Sequence, residues 1–311
     1  MSGDDRLERA LAAVRDQPDE DSARRVLADL LQERGDPRGE FLLLQYLIAE
    51  RRASGADVQR ADHLLRKHKR GWLAEVKGVL SHIELERGFP VSAMLVQPPP
   101  AALKRALASP LMATLTKLRQ GSTTDDVFAS VVASKVMRFL RSVELRPRAL
   151  RLLTAGDPVA ARPVMLRLVE PGWPRVKEDL QAATSSPFCS RLESLTLHAD
   201  SATPPLVQLA ALGRLKHLVV MNALSHLSAA AREWPALRLE SLTFSPSVRF
   251  TREPGGTVVF LQRTGAKELA ALRKFIPVDT LRIDLAPDRP SAESRRALER
   301  AFAGLRIRFL P

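Results

Sequence analysis

Leu192-Glu193-Ser194-Leu195-Thr196-Leu197, Leu215-Lys216-His217-Leu218-Val219-Val220 and Leu239-Glu240-Ser241-Leu242-Thr243-Phe244 share one pattern, apolar-x-x-apolar-x-apolar. Leu140-x-x-Val143-x-Leu145 and Val278-x-x-Leu281-x-Ile283 repeat it, and weaker copies centre on Met94, Leu118, Leu166 and Leu305. Central residues then follow one another at spacings of 24, 25, 23, 29, 23, 24, 39 and 24. The last three positions of each copy alternate with period two, so each predicts a short strand with one apolar face. Between them, 101–109, 125–137, 204–212, 265–275 and 291–302 are compatible with helix. A strand and a helix every two dozen residues cannot bury their apolar sides alone, so the units must stack.

All but one of the spacings fall within the length of a leucine-rich repeat, about 20–29 residues. The expected fold class is an α/β solenoid, an irregular leucine-rich-repeat horseshoe with helices on its convex side. The copies depart from the consensus where Asn or Cys usually ties the turn, since Asp200, Ala223 and Ser247 stand there; irregular turns are expected. The 39-residue gap holds an insertion, about 247–262, in which Val248-Arg249-Phe250-Thr251-Arg252 and Thr257-Val258-Val259-Phe260-Leu261 flank Glu253-Pro254-Gly255-Gly256. That is a strand–turn–strand signature. A β-hairpin alone is marginal in water, so this one is expected to protrude from the solenoid and pack its apolar side over the repeat core, or else on a partner.

Upstream, the period changes to that of helices. Leu7, Ala10, Leu11 and Val14 mark a helix over 4–15; Val26, Leu27, Leu30 and Leu31 mark one from Asp19 to Arg34; Phe41-Leu42-Leu43-Leu44 sits in one from Pro37 to Arg52. A fourth helix is expected over 57–80, kinked or split at Gly71. The run from Arg24 to Gln45 contains Leu27-Ala28-Asp29-Leu30-Leu31-Gln32-Glu33-Arg34-Gly35-Asp36-Pro37-Arg38-Gly39-Glu40-Phe41. It resembles the repeat-companion domain of myxobacterial and planctomycete proteins, with Leu30 where that family commonly has Trp. Arg87-Gly88-Phe89-Pro90 is similar to the step found after that domain. The resemblance covers roughly the first 96 residues and implies a small all-α domain, placed at 1–82, ahead of degenerate and often leucine-rich repeats, placed at 83–311. It implies no catalytic role.

The chain has 311 residues, 45% hydrophobic and 27% charged, which fits two domains or one elongated one and excludes global disorder. A single cysteine, Cys189, excludes an internal disulfide and a cysteine-cluster metal site. Together with the acidic N-terminal segment and the lack of an 18-residue uncharged apolar run, this leads to the expectation of a cytoplasmic protein with no membrane span. No nucleotide-binding or hydrolase signature is present, and neither an enzyme nor a cofactor is expected. His63 and His68 are five apart on a helix; His198 and His217, on neighbouring repeats, are the one pair that could approach, and a metal would need a third ligand such as Glu193 or Asp200.

Charge is the remaining signal, at +13. Part of it follows from an Arg-rich composition, but acidic partners are implied. Strand residues between the apolar anchors place Lys117, Arg119, Arg141, Arg146 and Arg167 on the concave face, Glu144, Glu193 and Glu240 among them and beyond, and Arg282 and Arg306 at the far end. Such an alternating array suits a protein with an acidic patch better than a uniform polyanion, and the face lacks aromatic residues for base stacking. The expected function is therefore a non-enzymatic interaction or scaffold module. The alternative is nucleic acid or another polyanion held by Arg66, Lys67, Lys69 and Arg70.

Overall fold

The computed structural model describes residues 3–18, 20–155, 160–169, 175–198, 209, 212–221, 238–244, 248–253, 256–261, 296, 299 and 300. The chain forms two compact units, Met1–Val143 with Gly156–Arg162, and Glu144–Ala155 with Pro163–Pro311. Helices precede a mixed sheet flanked by further helices, an α/β architecture.

The first unit opens with α1 (Gly3–Asp16), α2 (Asp21–Glu33), α3 (Pro37–Ala49) and α4 (Gly55–Trp72). The α2–α3 turn is written in its residues: Gly35 takes φ +70, and Asp36 caps α3 by accepting from Arg38 N at 2.8 Å, with Pro37 in the first helical position. Gly39 lets the two helices close, since a Cβ there would lie 2.6 Å from Ala28 O and Gln32 N. Leu27, Leu31, Phe41, Leu42 and Leu64 are buried between the helices. Val26, expected on the buried side, is 54% exposed, while Arg24 is only 5% exposed. Arg24, Leu27, Ala28 and Leu31 make the inward i, i+3, i+4, i+7 stripe, and Val26 lies off it.

The helix expected over 57–80 ends at Trp72. A single 3-10 turn, Ala74–Val76, follows, and then strand β1 (Leu80–Glu86) pairs antiparallel with β2 (Phe89–Leu95). Gly78 at φ +76 breaks any helix there. The β1–β2 turn places Arg87 at φ +49 and Gly88 at φ +75. This turn seats itself on the helices. Gly88 N donates to Gln45 Oε1 at 2.7 Å, Arg38 Nη2 donates to Gly88 O at 3.2 Å, and Arg87 pairs with Asp21. Phe89 is fully buried, with the Arg38 and Arg24 guanidinium carbons 4.9 and 5.4 Å from its ring centroid. Both arginines are held below their ordinary pKa by burial. The helix–turn–helix of α2 and α3 and the turn Arg87–Pro90 are thus in direct contact.

Repeating strands follow. In the first unit, α5 (Pro100–Ala108) and α6 (Pro110–Ala113) lead to β3 (Lys117–Gln120), which is parallel to β2, and α7 (Asp125–Ala133) leads to the start of β4 (Ser142–Leu145). Ala93 pairs with Leu118, and Met94 with Arg119. The anchor placed at Met94 is therefore one residue late, and Met94 belongs to the opposite face. The second unit takes up β4 and continues through α8 (Pro147–Ala155), β5 (Met165–Leu168), α9 (Val176–Ser185), β6 (Ser194–His198), β7 (His217–Met221) and β8 (Ser241–Phe244). Here Leu166, Leu195, Leu218 and Leu242 pair in one straight row, each at the expected anchor, and each is buried. Burying each such leucine contributes roughly 1.5–3 kcal/mol.

Two backbone devices recur with the strands. At four strand starts, one carbonyl accepts two successive N–H groups: Thr116 O from Arg141 and Ser142 (2.8 and 2.9 Å), Val164 O from Glu193 and Ser194 (2.8 and 3.0 Å), Glu193 O from Lys216 and His217 (2.8 and 2.9 Å), and Lys216 O from Glu240 and Ser241 (2.8 and 3.0 Å). Six residues ahead of a buried leucine, the chain also makes two consecutive tight turns, over Ser109–Leu115, Ser134–Leu140, Ser186–Leu192 and Leu209–Leu215. The middle residue of each, Met112, Met137, Cys189 or Leu212, is buried.

The insertion forms a hairpin, β9 (Val248–Glu253) and β10 (Gly256–Leu261), with register Val248↔Leu261 to Glu253↔Gly256. β9 pairs antiparallel with β8, Phe244 against Val248 and Leu242 against Phe250, so the hairpin extends the sheet sideways with Phe250 fully buried. Sheet hydrogen bonding satisfies the β9 backbone as packing over the core would not.

Candidate interaction surface

Because Leu118 points into the core, Lys117 and Arg119 stand on the other side of β3. Their β2 neighbours there are Ser92 and Met94. Lys117 is exposed; Arg119 is half-buried, its Nε shielded from water without an acceptor. Gly121 makes room for Met94, since a Cβ at that position would lie 2.7 Å from Met94 Cγ and from Leu95 O. Arg141 is exposed immediately before β4. The loop after β3 is tied down by Gln97, whose Oε1 accepts from Thr124 N at 2.9 Å and from Thr123 Oγ1 at 3.4 Å. The first unit thus presents Lys117 and Arg119 on one side of β3 and Arg141 just ahead of β4, with the loop after β3 held by a neutral amide.

In the second unit carboxylates stand beside the basic side chains of the corresponding face among the described residues. Arg167 Nε lies 3.7 Å from Glu144 Oε2, Lys216 Nζ 3.4 Å from Glu193 Oε2, and His217 Nε2 3.9 Å from Glu240 Oε2, with His217 Nδ1 2.9 Å from Ser241 Oγ. Two rows cross this face, Met165–Ser194–His217–Ser241 and Arg167–Thr196–Val219–Thr243. Arg146 is half-buried just past the end of β4. Exposed pairs of this kind are each worth about 0–1 kcal/mol, so they organise the surface more than they stabilise it.

Neither protein-family models nor curated proteins match this chain. The surface is therefore read from its own chemistry.

Arg282 and Arg306, and the turn positions Asp200, Ala223 and Ser247, lie outside the described residues. Arg66, Lys67, Lys69 and Arg70 are all on α4; Arg66, Lys67 and Arg70 are exposed, whereas Lys69 is half-buried and donates to Ile83 O at 3.4 Å. His198 and His217 are not brought together: Ser194 is the residue opposite His217, which puts His198 four positions further along, about 13 Å at strand rise. Among the described residues no three His, Cys, Asp or Glu side chains converge as a metal site would require. No described helix is long and apolar enough to cross a membrane.

Cys189 is buried at the middle of its double turn, and burial pushes the thiol up to about 12 from an ordinary 9.0. It occupies the place that Met112, Met137 and Leu212 fill elsewhere, so it is a packing side chain. The double turn with its serine is invisible to a pattern of apolar anchors alone. The signal was available, since Ser109, Ser134 and Ser186 each stand six residues before a leucine anchor.

Proposed function

We propose that this protein is a non-enzymatic interaction module: a small helical cap of repeat-companion type leading into a leucine-rich-repeat-like solenoid, acting in the cytoplasm and binding a partner protein through an acidic patch. The observation that carries the reading is the ladder of β5, β6, β7 and β8, in which inward leucines align in one row and the alternate positions form two solvent-facing rows, mostly polar and half-buried to exposed. Such rows supply an extended recognition surface and no converging acid, base and nucleophile. The partner's acidic groups meet Lys117 and Arg119 on β3 and Arg141 just before β4; Glu144, the carboxylate on β4, lies 3.7 Å from Arg167.

The test is affinity recovery of tagged protein from cells that express it, with and without nuclease, comparing wild type with the double variant Lys117→Glu/Arg141→Glu. Both side chains are exposed, so the variant keeps its fold. A nuclease-resistant partner in stoichiometric yield, lost in the variant, is the expected result. Equal recovery with the variant would overturn it. Partners released by nuclease would instead favour polyanion binding by Arg66, Lys67, Lys69 and Arg70. Phosphate contacts from these four side chains also weaken binding log-linearly with salt, by about 10²-fold between roughly 50 and 200 mM.

A further inference from the structure

The end of α4 and the start of β1 enclose a cleft of about 430 Å³. Its rim carries Lys69, Arg70 and Lys77, its floor Leu73, Leu80 and Ile83, and no carboxylate lines it. Lys69 is anchored by its bond to Ile83 O, which aims its remaining two N–H groups elsewhere. Arg70 and Lys77 are exposed and form no ion pair among the described residues. Gly78, at φ +76, also lines the cleft, and open space lies where its Cβ would stand. Lys77 comes from the turn rather than the helix, so the charged rim is assembled by the fold and is not visible as a run in the sequence.

We infer that this cleft binds a small amphipathic anion, a carboxylate-bearing molecule with an aliphatic body. Three cations around one opening repel one another unless a counter-charge enters, and the nearby carbonyl end of α4 adds no attraction for an anion. The side chains must therefore hold the head group. The apolar lining selects the body: Leu73 and Leu80 are already buried and show only their edges, so it is half-buried Ile83, with those edges, that bare phosphate leaves in water and an alkyl chain covers. The volume falls within the roughly 300–1,000 Å³ of small-ligand pockets. The site is independent of the sheet face proposed for a protein partner.

Titration calorimetry of the full chain with octanoate and with octanol tests the inference. Saturable one-to-one binding of octanoate is expected, with octanol at least tenfold weaker. Arg70→Glu/Lys77→Glu should lower octanoate affinity at least tenfold, and Lys77→Gln, a mild change on an exposed turn, about threefold or more. Arg66→Glu/Lys67→Glu changes the net charge equally on the same helix but outside the cleft, and should alter affinity less than twofold. Absence of saturation, octanol binding as tightly as octanoate, or equal loss in both double variants would overturn the assignment. So would tighter binding of the peptide Glu-Glu-Leu-Glu-Glu, which would mark the cleft as a seat for a protein segment. None of these outcomes depends on whether Lys117 and Arg141 engage a partner.

Discussion

A methyl group on Gly88 would stand 2.4 Å from Leu42 Cδ2, on a backbone at φ +75 that side chains rarely adopt. Gly88→Ala should therefore destabilise by roughly 2 kcal/mol or more, and Gly39→Ala, which meets backbone at 2.6 Å, by a similar amount. Denaturant unfolding reads both. Phe89→Ala removes the ring that two guanidinium groups cover and should cost about 3–5 kcal/mol. Arg24→Met should by contrast change stability by less than about 1 kcal/mol, because the lost ring contact is offset by relief of a desolvated charge. Cys189 gives a pH signature. Its folded thiol stays protonated to about 12 while the unfolded thiol ionises near 9.0, so above pH 9 the unfolded state binds fewer protons and stability falls with rising pH, by up to about 1.4 kcal/mol per unit. Cys189→Val should lack that slope, and the native thiol should resist thiol reagents until the protein unfolds. Arg24 shows where residue-level reading stops: hydrophobicity placed Val26 inside, but helix geometry and the Phe89 ring bring Arg24 in instead.

Serine residues at the double turns separate by what each hydroxyl holds. Ser109 Oγ accepts from Leu111 N at 3.2 Å and also bonds Glu75; Ser186 Oγ accepts from Phe188 N at 3.2 Å; Ser134 makes no side-chain cap bond. Substitution by alanine should cost about 2, about 1 and a few tenths of a kcal/mol in that order, measured as shifts in denaturation midpoint. At this scale the sequence was informative where periodicity met punctuation. Asp36-Pro37 and Gly35 fixed the α2–α3 turn, and the leucine anchors of β5 to β8 fall in their expected rows. It misled where the period was short. Leu73, Val76 and Leu80 continue a helical spacing, yet Gly78 ends it, and the alternation that follows belongs to β1. At β2 the buried residue is an alanine, so a pattern tuned to large side chains slid to Met94. The hairpin strands were legible; their sideways joining to β8 was not, because pairing of β9 depends on an edge that only the fold supplies.

At the scale of the molecule, the described strands differ in charge: Lys117, Arg119 and Arg141 are cationic in the first unit, whereas Arg167–Glu144 and Lys216–Glu193 bring opposite charges together in the second. Lys117→Glu/Arg141→Glu should abolish partner recovery with little change in thermal midpoint, whereas Glu193→Lys/Lys216→Glu, which exchanges a pair 3.4 Å apart, should leave both stability and net charge unchanged. A thermal scan beside the recovery assay distinguishes the two. The carbonyls that accept two N–H groups at four strand starts have a consequence of their own. Alignment of successive strands is set there by main-chain atoms of Thr116, Val164, Glu193 and Lys216, whichever side chains those positions and their neighbours carry. Mutations that alter the charge of this row therefore meet little resistance from folding. Lineages can rewrite what the surface attracts while the scaffold beneath keeps its indexing, much as type is reset in an unchanged frame.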